Sequence, residues 1–425
     1  LKNLTYEKQL IGDMSLGLVW LPDDMGKHYV QSFLSYQGSE VLTAEGAFYG
    51  SEEKSYIDAK VEWEHFPLHI INVFIPGGLA TFSGDMDGEC LITGASSQPS
   101  INGKLMLDKV SIDAHQYGAH FNLDDRAVQI TNNRMVFDNF SIYTTRNNPF
   151  VINGSIDFQE ISHPRADLTL HANNYTLLDA RRKHGSLLYG KVFVDVNSTI
   201  KGHLESLVMR GNMNVRGNTD ATYVLADSPL TIQDRLGDLV TFTPFADTLS
   251  TGKEKTQTVL VKGLDVLMAV HIDQAARLKT DLSADRSSRI ELEGGGDLSF
   301  QYTPRGDMTL TGRYTLHSGL IKYAFSVIPL KEFTIKDGSY MEWTGNMTDP
   351  KLAFKAAERV RTSVMREDGS SRMVSFDVSM EIRNRLEHLE TVIEKSLCIS
   401  KIIIPLFSTV LIVIIIHPGT NINLF

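Results

Sequence analysis

Apolar and polar residues alternate strictly in short runs along most of the chain. The clearest run places Val374, Phe376, Val378, Met380 and Ile382 on one side and Ser375, Asp377, Ser379 and Glu381 on the other. A period of two is what a strand with one greasy and one wet side requires. Met308, Leu310, Tyr314 and Leu316 oppose Thr309, Thr311, Arg313 and Thr315 in the same way. Ala166, Leu168, Leu170 and Ala172 likewise oppose Asp167, Thr169 and His171. Repetition on this scale predicts a large antiparallel or mixed sheet.

Helical signals are sparse. The apolar run Ile70–Ile75 reads as a short helix or a fully buried strand. Residues 256–276 suit a helix or strands, and the polar stretch 358–368 predicts a loop between two strands.

Glycine punctuates the alternation at Gly84, Gly88, Gly94 and Gly103, then at Gly190, Gly202, Gly211 and Gly217, then at Gly296, Gly306, Gly312 and Gly319. The expectation is that each sits where one strand ends and the next bends back. The spacing is irregular, which indicates degenerate repetition rather than a fixed-period solenoid.

The end of the chain breaks the pattern. Ile402–Ile416 carries no charge and no alternation. As a helix it would span about 22 Å, short of the ~30 Å hydrocarbon core, and Pro405 lies near its start. Two readings stand: a membrane-inserted tail, or a chain end that departs from its ancestral sequence.

At 425 residues, 42% hydrophobic and 22% charged, the chain reads as folded rather than disordered. A net charge of −10 leaves no cationic excess for phosphates and argues against a nucleic-acid partner. Cys90 and Cys398 offer neither a disulfide framework nor a metal-ligand spacing. The chain starts at Leu1, so the reading is a fragment or processed product, with any export signal or anchor upstream.

Catalytic constellations are missing from the sequence: no Gly-x-Ser-x-Gly elbow, no phosphate-cradling loop, no His-Glu-x-x-His helix. Asp85-Met-Asp87-Gly-Glu89 opens like a calcium loop but lacks the remaining ligands, so a turn is expected there. Gly294–Gly296 precedes a strand, not a helix, and reads as a bend. Arg181-Arg-Lys-His184 reads as a solvated loop, with lipid head groups or anionic sugar as the functional alternative. No enzyme activity, cofactor or metal site is expected.

The region 296–356 carries an ordered set of motifs: Gly296-Asp-Leu-Ser, Pro304-Arg-Gly306, Leu310-Thr-Gly312-Arg-Tyr314, Ser318-Gly-Leu-Ile-Lys-Tyr323, Phe333-Thr-Ile-Lys-Asp-Gly338-Ser, Trp343-Thr-Gly-Asn346 and Asp349-Pro-Lys-Leu352. Their order resembles the C-terminal domain of the TamB translocation and assembly module family, relatives of the AsmA-like envelope proteins. Phe74-Ile-Pro76, Val128–Phe140 and Ser228-Pro-Leu-Thr231 are similar to Bacteroidetes-type members. The resemblance covers about residues 1–390.

The resemblance implies an all-β fold: an elongated, curled antiparallel or mixed sheet forming an apolar groove. It implies a β-repeat region over 1–280, a C-terminal β domain over 281–390 and a divergent tail over 391–425. It further implies an inner-membrane anchor, a periplasmic location in a Gram-negative envelope, and a BamA-type outer-membrane barrel as partner. Phospholipid or outer-membrane proteins would be the cargo, lying on Met308, Leu310, Tyr314, Leu316, Val374, Phe376, Val378, Met380 and Ile382. After about Glu390 the family continues with further strands that dock on the barrel, whereas this chain turns into the isoleucine-rich tail. The competing readings are sheets that pack on each other as closed sandwich cores, and a structural or adhesive β protein.

Overall fold

A computed structural model describes residues 1–6, 9–23, 26–51, 54–75, 80–114, 117–145, 147–183, 186–224, 263–281, 286, 288–323, 331–347, 349–365, 370–385 and 390–397. The fold is all-β among these residues, with a single 3-10 helix at Leu68–Phe74. The apolar run at Ile70–Ile75 therefore resolves as helix rather than strand. The segment 402–416, Ser228–Thr231 and His184 lie outside the described residues.

By packing, the described chain divides into two units. The first holds Leu1–Arg216 with 263–270 and 300–308; the second holds 217–224, 271–299 and 309–397.

In the first unit long strands follow one another as an antiparallel meander: Met14–Pro22, Lys27–Tyr36, Ser39–Ser51, Lys54–Pro67, Thr81–Ala95 and Ser100–Ala114. Two short strands, Ala119–Leu123 and Val128–Thr131, then lie in line between Ser100–Ala114 and Arg134–Tyr143. Phe150–Asp157, Arg165–Ala180, Leu188–His203 and Ser206–Val215 continue the meander.

This unit curls. Counting strand to strand, Ala119–Leu123 lies three steps from Arg165–Ala180, about 14 Å in a flat sheet at ~4.8 Å per step. The two strands are nevertheless in contact, and Phe121 packs on the cluster of Ala172, Tyr175, Val194 and Val196.

Part of that bending is built from bulges of one kind. His65, Asn139 and Asn174 sit inside strands at φ 49°, 51° and 49°. Each donates its backbone N–H to a side chain of the adjacent strand: Asp87 Oδ1 at 2.8 Å, Asn153 Oδ1 at 2.7 Å and Asp195 Oδ1 at 2.7 Å. Left-handed backbone suits Asn, and a bulge raises local twist and bend. Phe66, Phe140 and Tyr175 follow directly, and Phe140 and Tyr175 are buried. The extra residue resets the alternation, so the apolar series stays on one face.

The 3-10 helix covers strand ends in this unit. Leu68 and Val73 are buried, and the Asn72 amide both donates to the Phe82 carbonyl and accepts from its N–H.

The second unit joins Asp220–Val224 parallel to Arg277–Asp281, which pairs antiparallel with the strand beginning at Arg289. Lys331–Ile335 and Tyr340–Gly345 lie in line and pair with the strand Met308–Tyr323 on one side and with Lys351–Met365 on the other. Ser371–Arg385 and Glu390–Leu397 complete the meander.

Three local expectations are corrected. Asp85–Glu89 is neither a turn nor a calcium loop but the interior of Thr81–Ala95. Gly294–Gly296 is not a bend; it lies within Arg289–Tyr302. The predicted loop 358–368 is strand as far as Met365, because Arg359, Arg361 and Ser363 alternate with Val360, Thr362 and Val364 and pair along Ser371–Asp377.

The glycines follow the same correction: nearly all sit inside strands, with Gly306 and Gly217 in turns. The reason is close approach rather than turning. A Cβ on Gly296 would strike the Arg313 carbonyl, and one on Gly312, at φ 124°, would strike the Asp297 carbonyl. The bare backbone of Gly296 lets the Tyr314 backbone come close.

Candidate functional site

The candidate site is a face, not a cluster. In the first unit, cross-strand register links one residue from each successive strand: Leu18, Ser32, Ala44, Val61, Cys90, Gly103, Ile130, Met135, Ile156, Ala166, Gly202 and Leu207. Every member is apolar or glycine except Ser32. Strand pairing alone makes this row, since positions opposite each other share a face.

One step along each strand lies the opposite row: Phe33, Thr43, Glu62, Glu89, Lys104, Gln129, Val136, Ser155, Asp167 and Lys201. It is laced by ion pairs, Lys104–Glu89 at 3.3 Å and Lys201–Asp167 at 3.1 Å. Exposed pairs of this kind contribute ~0–1 kcal/mol each. They mark the face that water wets.

Exposure changes along the apolar row. At its beginning Leu16, Leu18 and Trp20 are 74%, 65% and 60% exposed. Val30, Leu34, Leu42, Ala44, Ile57 and Val61 on the next strands are half-buried. Further on, Ala166, Ala172 and Val194 are each 1% exposed. Phe150 meets Tyr175 edge-on at 5.7 Å, and burial pushes the Tyr175 hydroxyl above the usual phenol range, slightly countered by Thr144. Burial also pushes the Cys90 thiol up, with Glu89 adding to it.

The residues singled out from sequence fall in differing environments. Tyr314 and Leu316 are completely buried, so no surface is left for a ligand to touch. Tyr314 is held beside Gly296 and opposite Met341. Its hydroxyl has no hydrogen-bond partner among the described residues, and burial, then Glu293, push its pKa far up. Met308 is exposed, Leu310, Val378 and Ile382 are half-buried, and Val374 is buried. The side chains of Phe376 and Met380 lie outside the described residues; their backbones stand opposite Val360 and Ala356. Glu358 interrupts that face opposite Val378.

The first-unit apolar row was not singled out from sequence beyond Ala166–Ala172. A signal for it exists: the polar-polar-aromatic breaks Glu64-His65-Phe66, Asp138-Asn139-Phe140 and Asn173-Asn174-Tyr175 mark where the alternation changes phase.

Among the described residues no group of three or more His, Cys, Asp or Glu side chains is placed to hold a metal ion. None of their helices is long and apolar enough to cross a membrane. The family model described as the TamB C-terminal domain matches residues 138–397. No curated protein matches the chain significantly.

Proposed function

The chain belongs to the TamB family, a family of non-enzymatic transport and assembly modules of the Gram-negative envelope, and from that premise we propose that its apolar face carries phospholipid. The observation that carries this reading is the row from Leu18 to Leu207, apolar or glycine on every strand but that of Ser32 and exposed at Leu18. An acyl chain laid on that row gains about 0.8 kcal/mol per buried CH₂. The gain accrues anywhere along the row, so a lipid can move from strand to strand without any one residue holding it. No chemistry is required of the face for this.

In the second unit the half-buried Leu310, Val378 and Ile382 are the proposed contact residues, with Met308 in the first unit. Tyr314 and Leu316, fully buried, are not among them. The family works with an outer-membrane partner; a barrel of the BamA type is the partner proposed for this chain, and outer-membrane proteins are the second class of client. The competing closed-sandwich reading is disfavoured by the exposure of Leu16, Leu18 and Trp20, which a closed core would cover.

The test uses neighbouring residues on opposite faces. Ala44→Asp places a charge on the apolar row, and Thr43→Asp places the same charge on the polar row. Lipids that co-purify with each folded variant are extracted and counted by mass spectrometry. The proposal expects phospholipid with the parent chain and Thr43→Asp, and little with Ala44→Asp. Equal lipid on both variants, or none on the parent, would sink it.

A further inference from the structure

The apolar face of the first four long strands closes at one end. Among the described side chains of Met14–Pro22, Lys27–Tyr36, Ser39–Ser51 and Lys54–Pro67, those that are buried are Ser35, Tyr36, Val41 and Pro67. All of them lie at the end where the chain enters the helix Leu68–Phe74. Along the same strands Leu34, Leu42 and Ala44 are half-buried, and Leu18 and Trp20 are exposed. The face is thus covered next to the helix and uncovered away from it.

The helix lies on the apolar side. Tyr36 stands two residues beyond Leu34 on one strand and so points to the same face. Its ring meets His69 edge-on at 5.4 Å. The Tyr36 hydroxyl gives its one proton to the Ile11 carbonyl at 3.0 Å and accepts from the Gln37 amide at 3.1 Å. Its 2.9 Å bond to His69 Nε2 is therefore one that the imidazole donates. At the far side of the helix the Asn72 amide donates to the Phe82 carbonyl at 2.9 Å and accepts from the Phe82 N–H at 2.7 Å. The helix thus runs from Lys27–Tyr36 to Thr81–Ala95, and these side-chain bonds clasp it at each side.

Its own side chains are apolar in both directions. Leu68 and Val73 are buried, whereas Ile71 is 39% exposed. Burial of Leu68 and Val73 favours the closed position, but an acyl chain carries more methylenes than those two side chains together, and burial is rewarded per methylene. A long apolar cargo therefore outcompetes the helix for the surface beneath it.

We propose that Leu68–Phe74 is a strap that occupies this end of the apolar face in place of cargo and lifts when an acyl chain takes the surface under it. The proposal rests on the cargo reading and adds a regulation to the same face. A face whose strap must lift first binds with an affinity reduced by the fraction of molecules in which it is lifted. The clasps at Tyr36 and Phe82 set that fraction.

The test titrates the full chain with lysophosphatidylcholine and follows amide hydrogen exchange with and without this probe. The amides of 68–74 are expected to exchange faster once the probe is bound. Asn72→Ala removes one clasp, so it should exchange faster there without the probe and bind the probe roughly fivefold more tightly. His69→Ala, at an exposed position, keeps the Asn72 clasp and should move both readouts the same way by less. Circular dichroism establishes that each variant is folded.

Exchange over 68–74 that the probe leaves unchanged or slows would overturn the strap and make the helix a permanent cap. So would an Asn72→Ala chain that exchanges faster there yet binds the probe like the parent. In both cases the bound probe would leave the cargo reading standing. Absence of binding by the parent and by both variants would overturn the cargo reading and the strap together.

Discussion

The strands Met14–Pro22 and Leu188–His203 each set a row of apolar residues on one face, Leu16, Leu18 and Trp20 in the first and Val192, Val194 and Val196 in the second, yet these rows end in opposite states. Leu18 is 65% exposed and Val194 is 1% exposed. Local pattern is therefore not what decides whether the apolar face is open. What differs is curl. Around Leu188–His203 the bulges at Asn139 and Asn174 bend the sheet until Phe121 reaches the cluster of Tyr175 and Val194. The hairpin of Met14–Pro22 with Lys27–Tyr36 runs in unbroken register from Met14 to Pro22. Leu16, Leu18 and Trp20 in it stay more than half exposed. An open face and a closed core are here two curvatures of one pattern.

The contrast breaks most sharply under a charge. Val194→Asp buries a carboxylate without a partner and is expected to abolish folding of the first unit, whereas Leu18→Asp should shift stability by less than about 0.5 kcal/mol. Urea unfolding followed by circular dichroism checks both; a tolerated Val194→Asp would mean the closed region is open in solution. Truncation gives the next largest difference. Leu316→Ala in the second unit should cost about 2–5 kcal/mol and Leu16→Ala almost nothing.

The bulges can be probed directly. Asn153→Ala leaves the Asn139 N–H without its acceptor, at a cost of about 1–2 kcal/mol, and should loosen the closed region as seen by hydrogen exchange. Unchanged exchange at Phe140 and Tyr175 would mean the bulge does not maintain the curl.

The smallest effect concerns Tyr314, whose buried hydroxyl finds no partner among the described residues. Tyr314→Phe should stabilise by about 1 kcal/mol or be neutral. Because the folded state raises this pKa, its stabilising contribution is complete below the ordinary phenol value of about 10 and is lost as pH rises beyond it. The parent should therefore weaken between pH 9 and 11 more than Tyr314→Phe does. Identical pH profiles would place the alkaline sensitivity elsewhere, with Tyr175 the next candidate.

Much of the fold was legible in the sequence. The strands at Val374–Ile382 and Met308–Leu316 follow from alternation alone, and so does the all-β class. The glycines were misread because their freedom at turns is a local property, whereas Gly296 and Gly312 answer to a backbone in the next strand. Residues 358–365 were misread because charge was taken to outweigh alternation, although Arg359 and Arg361 sit where a wet face needs them. The site was legible only in part. Alternation tells which residues share a face and is silent on what covers that face, so Tyr314 and Leu316, read as lining, turn out to be fully buried. The row Leu16, Leu18 and Trp20 stays exposed, whereas the bulges that bend the closed region are visible in the sequence as triplets such as Asp138-Asn139-Phe140.

The most direct measurement is site-specific photocrosslinking in the full chain during expression in an envelope-bearing host. A photoreactive phenylalanine analogue is placed in turn at Leu18, Ala44 and Val61 on the apolar row, and at Gln31, Glu45 and Lys60 on the polar face. Mass spectrometry then identifies what is attached. Phospholipid adducts at the first three positions and not at the others are the predicted result. Adducts spread equally over both faces, or none on the apolar row of the folded protein, would contradict a lipid-carrying face.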